Sequence, residues 1–140
     1  MGLEKFEKFG TVSFTKEAKA ADFISHLEQG KVMATKCKSC GRVYFPPRVD
    51  CADCLDSKVD WLEITGNGKL VTYTTVNYGP SGFENETPYT LALAEFPGGV
   101  KIFGRLDKAI PQGDIKAGMS VKLAPVKLAE EKVAYVMQKA

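Results

Sequence analysis

The stretch Cys37-Lys-Ser-Cys40-Gly-Arg-Val-Tyr-Phe-Pro-Pro-Arg-Val-Asp-Cys51-Ala-Asp-Cys54 contains every cysteine of the chain, arranged as two C-x-x-C pairs ten residues apart. Each pair is a tight turn that aims two sulfurs at one point. The ten-residue link lets the two turns face each other across a single ion. So short a segment buries no core of its own, and its order must come from the metal, which contributes about 10–16 kcal/mol in small zinc peptides. Four thiolates leave no coordination position open. The spacing predicts a structural zinc ribbon with Cys37, Cys40, Cys51 and Cys54 as ligands; iron fits the same four-sulfur cage.

Two other uses of four cysteines compete. Two disulfides need an oxidising compartment. The opening Met1-Gly-Leu-Glu-Lys-Phe6 has neither the apolar core nor the small-residue cleavage site of a signal peptide. Phe6 also stands where a myristoylation signal on Gly2 needs Ser or Thr. A redox C-x-x-C is the second alternative, but two such pairs close together favour a metal. No run of 18 apolar residues occurs, so no membrane span is predicted, and the expected location is the cytoplasm.

With 140 residues, 44% hydrophobic and 26% charged, the chain has the make-up of a soluble globular protein large enough for one real core. The formal charge of +2 moves to near zero once four thiolates and one Zn²⁺ are counted. From Asp60 to Ala140 nine Lys/Arg balance nine Asp/Glu. Non-specific nucleic-acid affinity comes from cations displacing counterions along phosphates, and this region has no excess to offer. Lys36, Lys38, Arg42, Arg48 and Lys58 crowd the cysteines instead, where their simplest role is to screen a dianionic metal–thiolate centre.

The ribbon spans about residues 35–59. Val43-Tyr-Phe45 suits a short strand, and Pro46 and Pro47 force the chain extended; Tyr44 and Phe45 are read as a cover for the metal's apolar side. Before it, residues 1–34 form a helical arm. Thr15 can cap a helix over Lys16 to Gln29 with Gly30 as its stop, and Ala20, Phe23, Ile24 and Leu27 make its apolar stripe. His26, the single histidine, falls on another face and is read as solvated or packed. Phe6, Phe9 and Phe14 lack periodicity in a polar stretch and are expected to pack onto a partner.

Residues 60–140 read as all-β. Strands are predicted over Trp61–Ile64, Lys69–Tyr78, Tyr89–Phe96 and Val100–Leu106. Ser120–Leu128 and Val133–Gln138 form a hairpin around Ala129-Glu-Glu-Lys132. Gly66-Asn-Gly68 reads as a turn or bulge, and Gly79–Thr87 as a polar loop. Five or six short strands with glycine corners and no alternating helices argue for a small closed barrel. The fold class is therefore mainly β: helical arm, zinc ribbon, barrel. No phosphate-binding glycine motif is present.

No catalytic set can be assembled. The metal takes every thiol, and the lone histidine has no G-x-S-x-G serine to serve. Glu84 and Glu86 share a loop and are read as solvated. Two non-catalytic roles remain: docking on an enzyme subunit, or binding single-stranded nucleic acid through Lys101, Phe103 and Arg105 on one strand face, with Tyr73 and Tyr78 nearby.

In combination, Gln29-Gly-Lys-Val-Met-Ala-Thr-Lys-Cys37-Lys-Ser-Cys40-Gly41, Phe45-Pro-Pro-Arg48 and Cys51-Ala-Asp-Cys54 resemble the family long labelled domain of unknown function 35 (DUF35). The resemblance continues through Gly66-Asn-Gly-Lys-Leu-Val-Thr-Tyr-Thr, Pro88-Tyr-Thr-Leu-Ala-Leu-Ala-Glu-Phe and Val100-Lys-Ile-Phe-Gly-Arg-Leu. It implies a rubredoxin-like zinc ribbon joined to an OB-fold barrel, with the metal carried by Cys37, Cys40, Cys51 and Cys54. It also implies an acyl-CoA role, as a small subunit beside a thiolase-type condensing enzyme or a hydratase. Benzoylsuccinyl-CoA thiolase and the archaeal protein that joins acetoacetyl-CoA thiolase to the next synthase are examples. Thiolase chemistry needs a nucleophilic Cys with His and Cys partners, which this chain cannot supply. For a coenzyme A thioester shared with the partner, Arg48 would meet phosphate, and the loop from Gly79 to Phe83 at the barrel mouth would meet the pantetheine arm.

Overall fold

Two sheets divide the chain in the computed structural model, which describes residues 2–12 and 16–140. The first is a three-stranded antiparallel sheet. Its central strand β1 (Met33–Cys37) lies between β2 (Val43–Tyr44) and β3 (Val59–Glu63), with Thr35 opposite both Tyr44 and Trp61. The strand read over Trp61–Ile64 is thus present, but it pairs with the ribbon rather than with the barrel. Pro46 and Pro47 have no N–H to give a ladder. The fully buried Thr35 hydroxyl compensates by donating to the Arg48 carbonyl (2.7 Å) and accepting the Arg48 N–H (2.9 Å).

The second sheet closes on itself. Strands β4 (Gly68–Val76), β5 (Tyr89–Phe96), β6 (Val100–Leu106), β7 (Ser120–Lys127) and β8 (Val133–Lys139) run in the order β4-β5-β6-β8-β7 around the barrel. The β6–β8 pair is parallel, and β7 returns to β4 to close the ring. This five-stranded closure is the OB-fold. Leu70, Ala94, Ile102, Leu106, Val121 and Met137 fill it, each of the larger side chains contributing about 1.5–3 kcal/mol by leaving water. A register shift between Leu70 and Thr72 bends β4 around the core. Gly68 permits that path, because a Cβ there would sit 2.9 Å from the Glu95 carbonyl oxygen.

The arm departs from its predicted form. Helix α1 covers only Asp22–Glu28, while Gly30, at φ +85°, ends the helical region as expected. Lys16 and Glu17 are drawn instead to a 3₁₀ turn at Lys5–Lys8. Phe6 N–H donates to the Lys16 carbonyl (3.3 Å), and Lys16–Glu4 and Lys5–Glu17 pair at 2.8 and 2.7 Å. The Thr15 cap and Phe14 lie outside the described residues.

Phe6 and Phe9 do not face outward for a partner. They pack within this chain, Phe9 lying 5.8 Å from Phe23 and 6.2 Å from Tyr135 between ring centres. Phe45 of the ribbon joins the same group, 6.0 Å from Phe23 and 5.3 Å from Tyr135. One aromatic cluster therefore ties arm, ribbon and barrel together. His26 packs against Trp61 at 5.0 Å, consistent with a packed histidine.

Candidate metal centre

The two C-x-x-C turns fold alike because each closes the same hydrogen-bonded knuckle. Cys37 N–H donates to the Arg42 carbonyl (2.8 Å), and Gly41 N–H returns to the Cys37 carbonyl (2.9 Å). In the second knuckle, Cys51 N–H donates to Asp56 (2.9 Å) and Leu55 N–H to Cys51 (3.1 Å). The residue after each pair is left-handed. That is Gly41 (φ +78°) in the first and Leu55 (φ +61°) in the second. Glycine takes this conformation freely; leucine does so against its Cβ.

The four sulfurs lie within 4.8 Å of one another, with Cys37–Cys54 at 3.4 Å and Cys40–Cys51 at 3.6 Å. These separations exceed a disulfide's ~2.05 Å. They approach the ~3.8 Å edge of a regular tetrahedron with Zn–S bonds of ~2.3 Å. Cys37 and Cys51 are buried, Cys40 and Cys54 exposed. The donor set fits zinc.

Hydrogen bonding distinguishes the thiols. The Cys54 N–H and then the Tyr44 hydroxyl bring Cys51 down to about 6. The Cys40 N–H likewise lowers Cys37. Cys54 receives an Asp56 N–H that favours its thiolate, but the hydrogen bond with Cys37, desolvation, and contacts with Cys51 and Cys40 push it up to about 12. For Cys40 the Arg42 N–H favours ionisation, and Cys51, desolvation and Cys37 outweigh it. Four sulfurs this close cannot all carry charge unaided; a central dication lets all four ionise.

Of the five basic residues expected around the cage, Arg42 pairs with Asp53 and Lys38 with Asp60 (3.4 Å). The Arg48 guanidinium lies 5.3 Å from the Tyr44 ring centre. Tyr44 does more than cover the metal. Its hydroxyl lies 3.3 Å from Cys51 Sγ and accepts the Ala52 N–H at 3.0 Å. The sequence held one signal for this, a tyrosine four residues after Cys40 on a predicted strand.

The structure brings Gly79 and Phe83 together: a Cβ on Gly79 would meet the Phe83 carbonyl oxygen at 2.7 Å. Arg48 belongs to the ribbon, held by Thr35 and stacked on Tyr44. Phe83 borders an apolar groove of about 320 Å³ on the barrel wall, with Phe9, Leu91, Phe103 and Leu128. Arg105 stands there too, 4.2 Å from the Tyr89 ring centre and 5.3 Å from that of Phe83.

Glu86 is not solvated as expected. It accepts hydrogen bonds from Thr11 and Arg105. Burial works against its carboxylate, but Thr11, Arg105 and Lys108 outweigh that and hold it below the usual range. Sequence reasoning missed this pairing. Engaged with Glu86 and two rings, Arg105 is no free phosphate ligand, which weakens the single-strand surface read from Lys101, Phe103 and Arg105. Among the described residues no helix is long and apolar enough to cross a membrane.

Comparison with known proteins places these features in a lineage. Residues 25–60 match the ChsH2 rubredoxin-like zinc ribbon domain, and residues 61–126 match the ChsH2 C-terminal OB-fold domain. A DUF35 domain-containing scaffold protein of Pyrococcus furiosus is 34% identical over 103 residues, covering 74% of each chain. Its counterpart in Methanocaldococcus jannaschii is 35% identical over 92 residues, 65% of this chain and 64% of that one. The benzoylsuccinyl-CoA thiolase subunit BbsA of Thauera aromatica is 28% identical over 74 residues, 53% of this chain and 50% of its own. Among solved structures, one described as an Ltp2-ChsH2(DUF35) aldolase shares the fold with a TM-score of 0.75 at 24% identity, over 90% of this chain and 98% of its own.

Proposed function

The chain belongs to the DUF35 family of ChsH2-type zinc-ribbon and OB-fold proteins, and from that membership we propose that it is the zinc-bearing accessory subunit of an acyl-CoA-converting enzyme of thiolase type, such as a benzoylsuccinyl-CoA thiolase. The observation that carries this reading is the closed cage, in which Cys37, Cys40, Cys51 and Cys54 account for every thiol of the sequence. A chain so built has no nucleophilic cysteine to offer and works beside a subunit that has one. The name of the BbsA relative, a thiolase subunit, supports the partner class.

Within this reading residues 1–34 are an arm, 35–59 the ribbon and 60–140 the barrel. Zinc, when bound, supplies the charge that lets four thiolates coexist and pins the two knuckles. The protein's own residues do the rest. Thr35 and Phe45 seat the ribbon, and the aromatic cluster holds it rigidly to the barrel as one docking body. The Phe83 groove suits the apolar arm of a CoA thioester shared with the partner, and Arg48 its phosphates. The working compartment is the cytoplasm.

The test is affinity purification of the tagged chain from its native cell, with identification of the subunit that co-elutes and assay of thiolysis by chain and complex. The complex is expected to turn over acyl-CoA and the chain alone to be inactive. Cys37→Ser is expected to release zinc and dissociate the complex. Thiolysis by the isolated chain, or full partner binding by the metal-free variant, contradicts the proposal.

A further inference from the structure

The buried sulfurs of the two knuckles differ in one side-chain donor. Cys37 Sγ receives the N–H groups of Ser39 and Cys40, and Cys51 Sγ those of Asp53 and Cys54. Cys51 has an additional donor within reach, the Tyr44 hydroxyl at 3.3 Å. Among the described residues no side-chain hydroxyl stands in that place at Cys37. The direction of the Tyr44 bond follows from its other partner. Ala52 N–H donates into the phenolic oxygen at 3.0 Å, which leaves the hydroxyl hydrogen free for the sulfur.

The ring has contacts besides the sulfur. Tyr44 lies on β2 opposite Thr35, with the Arg48 and Arg42 guanidinium carbons 5.3 and 5.8 Å from its ring centre. In the folded ribbon the hydroxyl is therefore placed by the strand as well as by the sulfur, and Cys51 meets a positioned donor.

We propose that Tyr44 is a positioning residue of the metal centre, whose hydroxyl draws charge from the Cys51 thiolate and slows loss of the bound ion from that side of the cage. This rests on the reading of the cage as a metal site. A donor to a metal-bound thiolate lowers its basicity, so protons and competing electrophiles attack that sulfur less readily. Partners of this kind typically govern metal retention by about 10–100-fold.

Cobalt(II) in place of zinc reports on the sulfurs directly. In Tyr44→Phe, which keeps the ring and both guanidinium contacts, the sulfur-to-cobalt charge-transfer bands are expected to move to lower energy while the ligand-field bands stay tetrahedral. Zinc transfer to the chelator 4-(2-pyridylazo)resorcinol is expected to quicken about tenfold. Fluorotyrosine at position 44, a stronger donor of nearly the same shape, is expected to shift the bands the other way. This second substitution keeps the test open if the phenylalanine variant folds poorly. Unchanged charge-transfer energy in a folded Tyr44→Phe overturns the proposal whatever the release rate. Metal loss only in Tyr44→Ala does so as well, since that marks a packing role. A wild-type chain giving no four-sulfur cobalt spectrum overturns the metal reading itself, a separate failure.

Discussion

Stripping the metal should open the ribbon and leave the barrel closed. The 21 residues from 38 to 58 lie between β1 and β3 and contain no member of either buried core cluster; Phe45 alone packs against them from this segment. The order of this segment rests on the knuckle hydrogen bonds, the short β1–β2 pairing, the Thr35 clasp, the Phe45 contact and the metal, the last worth about 10–16 kcal/mol. A contribution that large is comparable to the whole stability of a typical domain, about 5–15 kcal/mol, so the segment is expected to lose its order when the metal is removed. The barrel core draws on Leu70, Ala94, Ile102 and Met137 and does not depend on the ion. Hydrogen exchange with and without a strong chelator measures both. The amides of Cys37, Gly41, Cys51 and Leu55, protected in the knuckles, are expected to exchange near the unfolded rate after chelation. Those of Ala94 and Ile102 are expected to keep their protection. Knuckle amides that stay protected without metal, or a barrel that loses protection with them, would refute the reasoning.

Two further outcomes follow from local geometry. Leu55→Gly relieves a left-handed leucine that is 82% exposed and so buries little. The strain of about 1–2 kcal/mol, less the ~0.5–1 kcal/mol of extra unfolded-state freedom, leaves a gain of up to about 1.5 kcal/mol. It should appear as a higher chelator concentration needed to strip zinc, and easier stripping contradicts it. Glu86, held below its unfolded value of ~4.3, contributes stability that is fully present above that pH and lost as pH falls through the folded value. In Glu86→Gln the urea midpoint is expected to be lower at neutral pH and to fall less steeply below pH ~4.3; identical acid limbs count against the pairing.

The cage, the strands and the helical stripe were legible because each is a local pattern. C-x-x-C spacing, β-branched alternation and apolar recurrence act over a few residues and hold wherever the chain is placed. β5 and β6 begin and end where the residues predicted, at Tyr89–Phe96 and Val100–Leu106. Resemblance added the OB-fold and the rubredoxin-like ribbon, which strand patterns alone left as a small barrel and a metal segment.

What the sequence by itself determined was the donor set and the run of elements, since thiol chemistry and backbone preference belong to short segments. Only the tertiary structure decided who meets whom. Thr11 reaches Glu86 across 75 positions, and Glu86 meets Arg105 across 19. Phe6, Phe9, Phe23, Phe45 and Tyr135 converge from three regions. The helix shortens because its first turn is claimed by a distant 3₁₀ segment, and Trp61 turns to β1 because that edge lies open beside it. Such pairings depend on the closure of whole sheets, and a linear pattern has no term for the distance between residues that folding brings side by side.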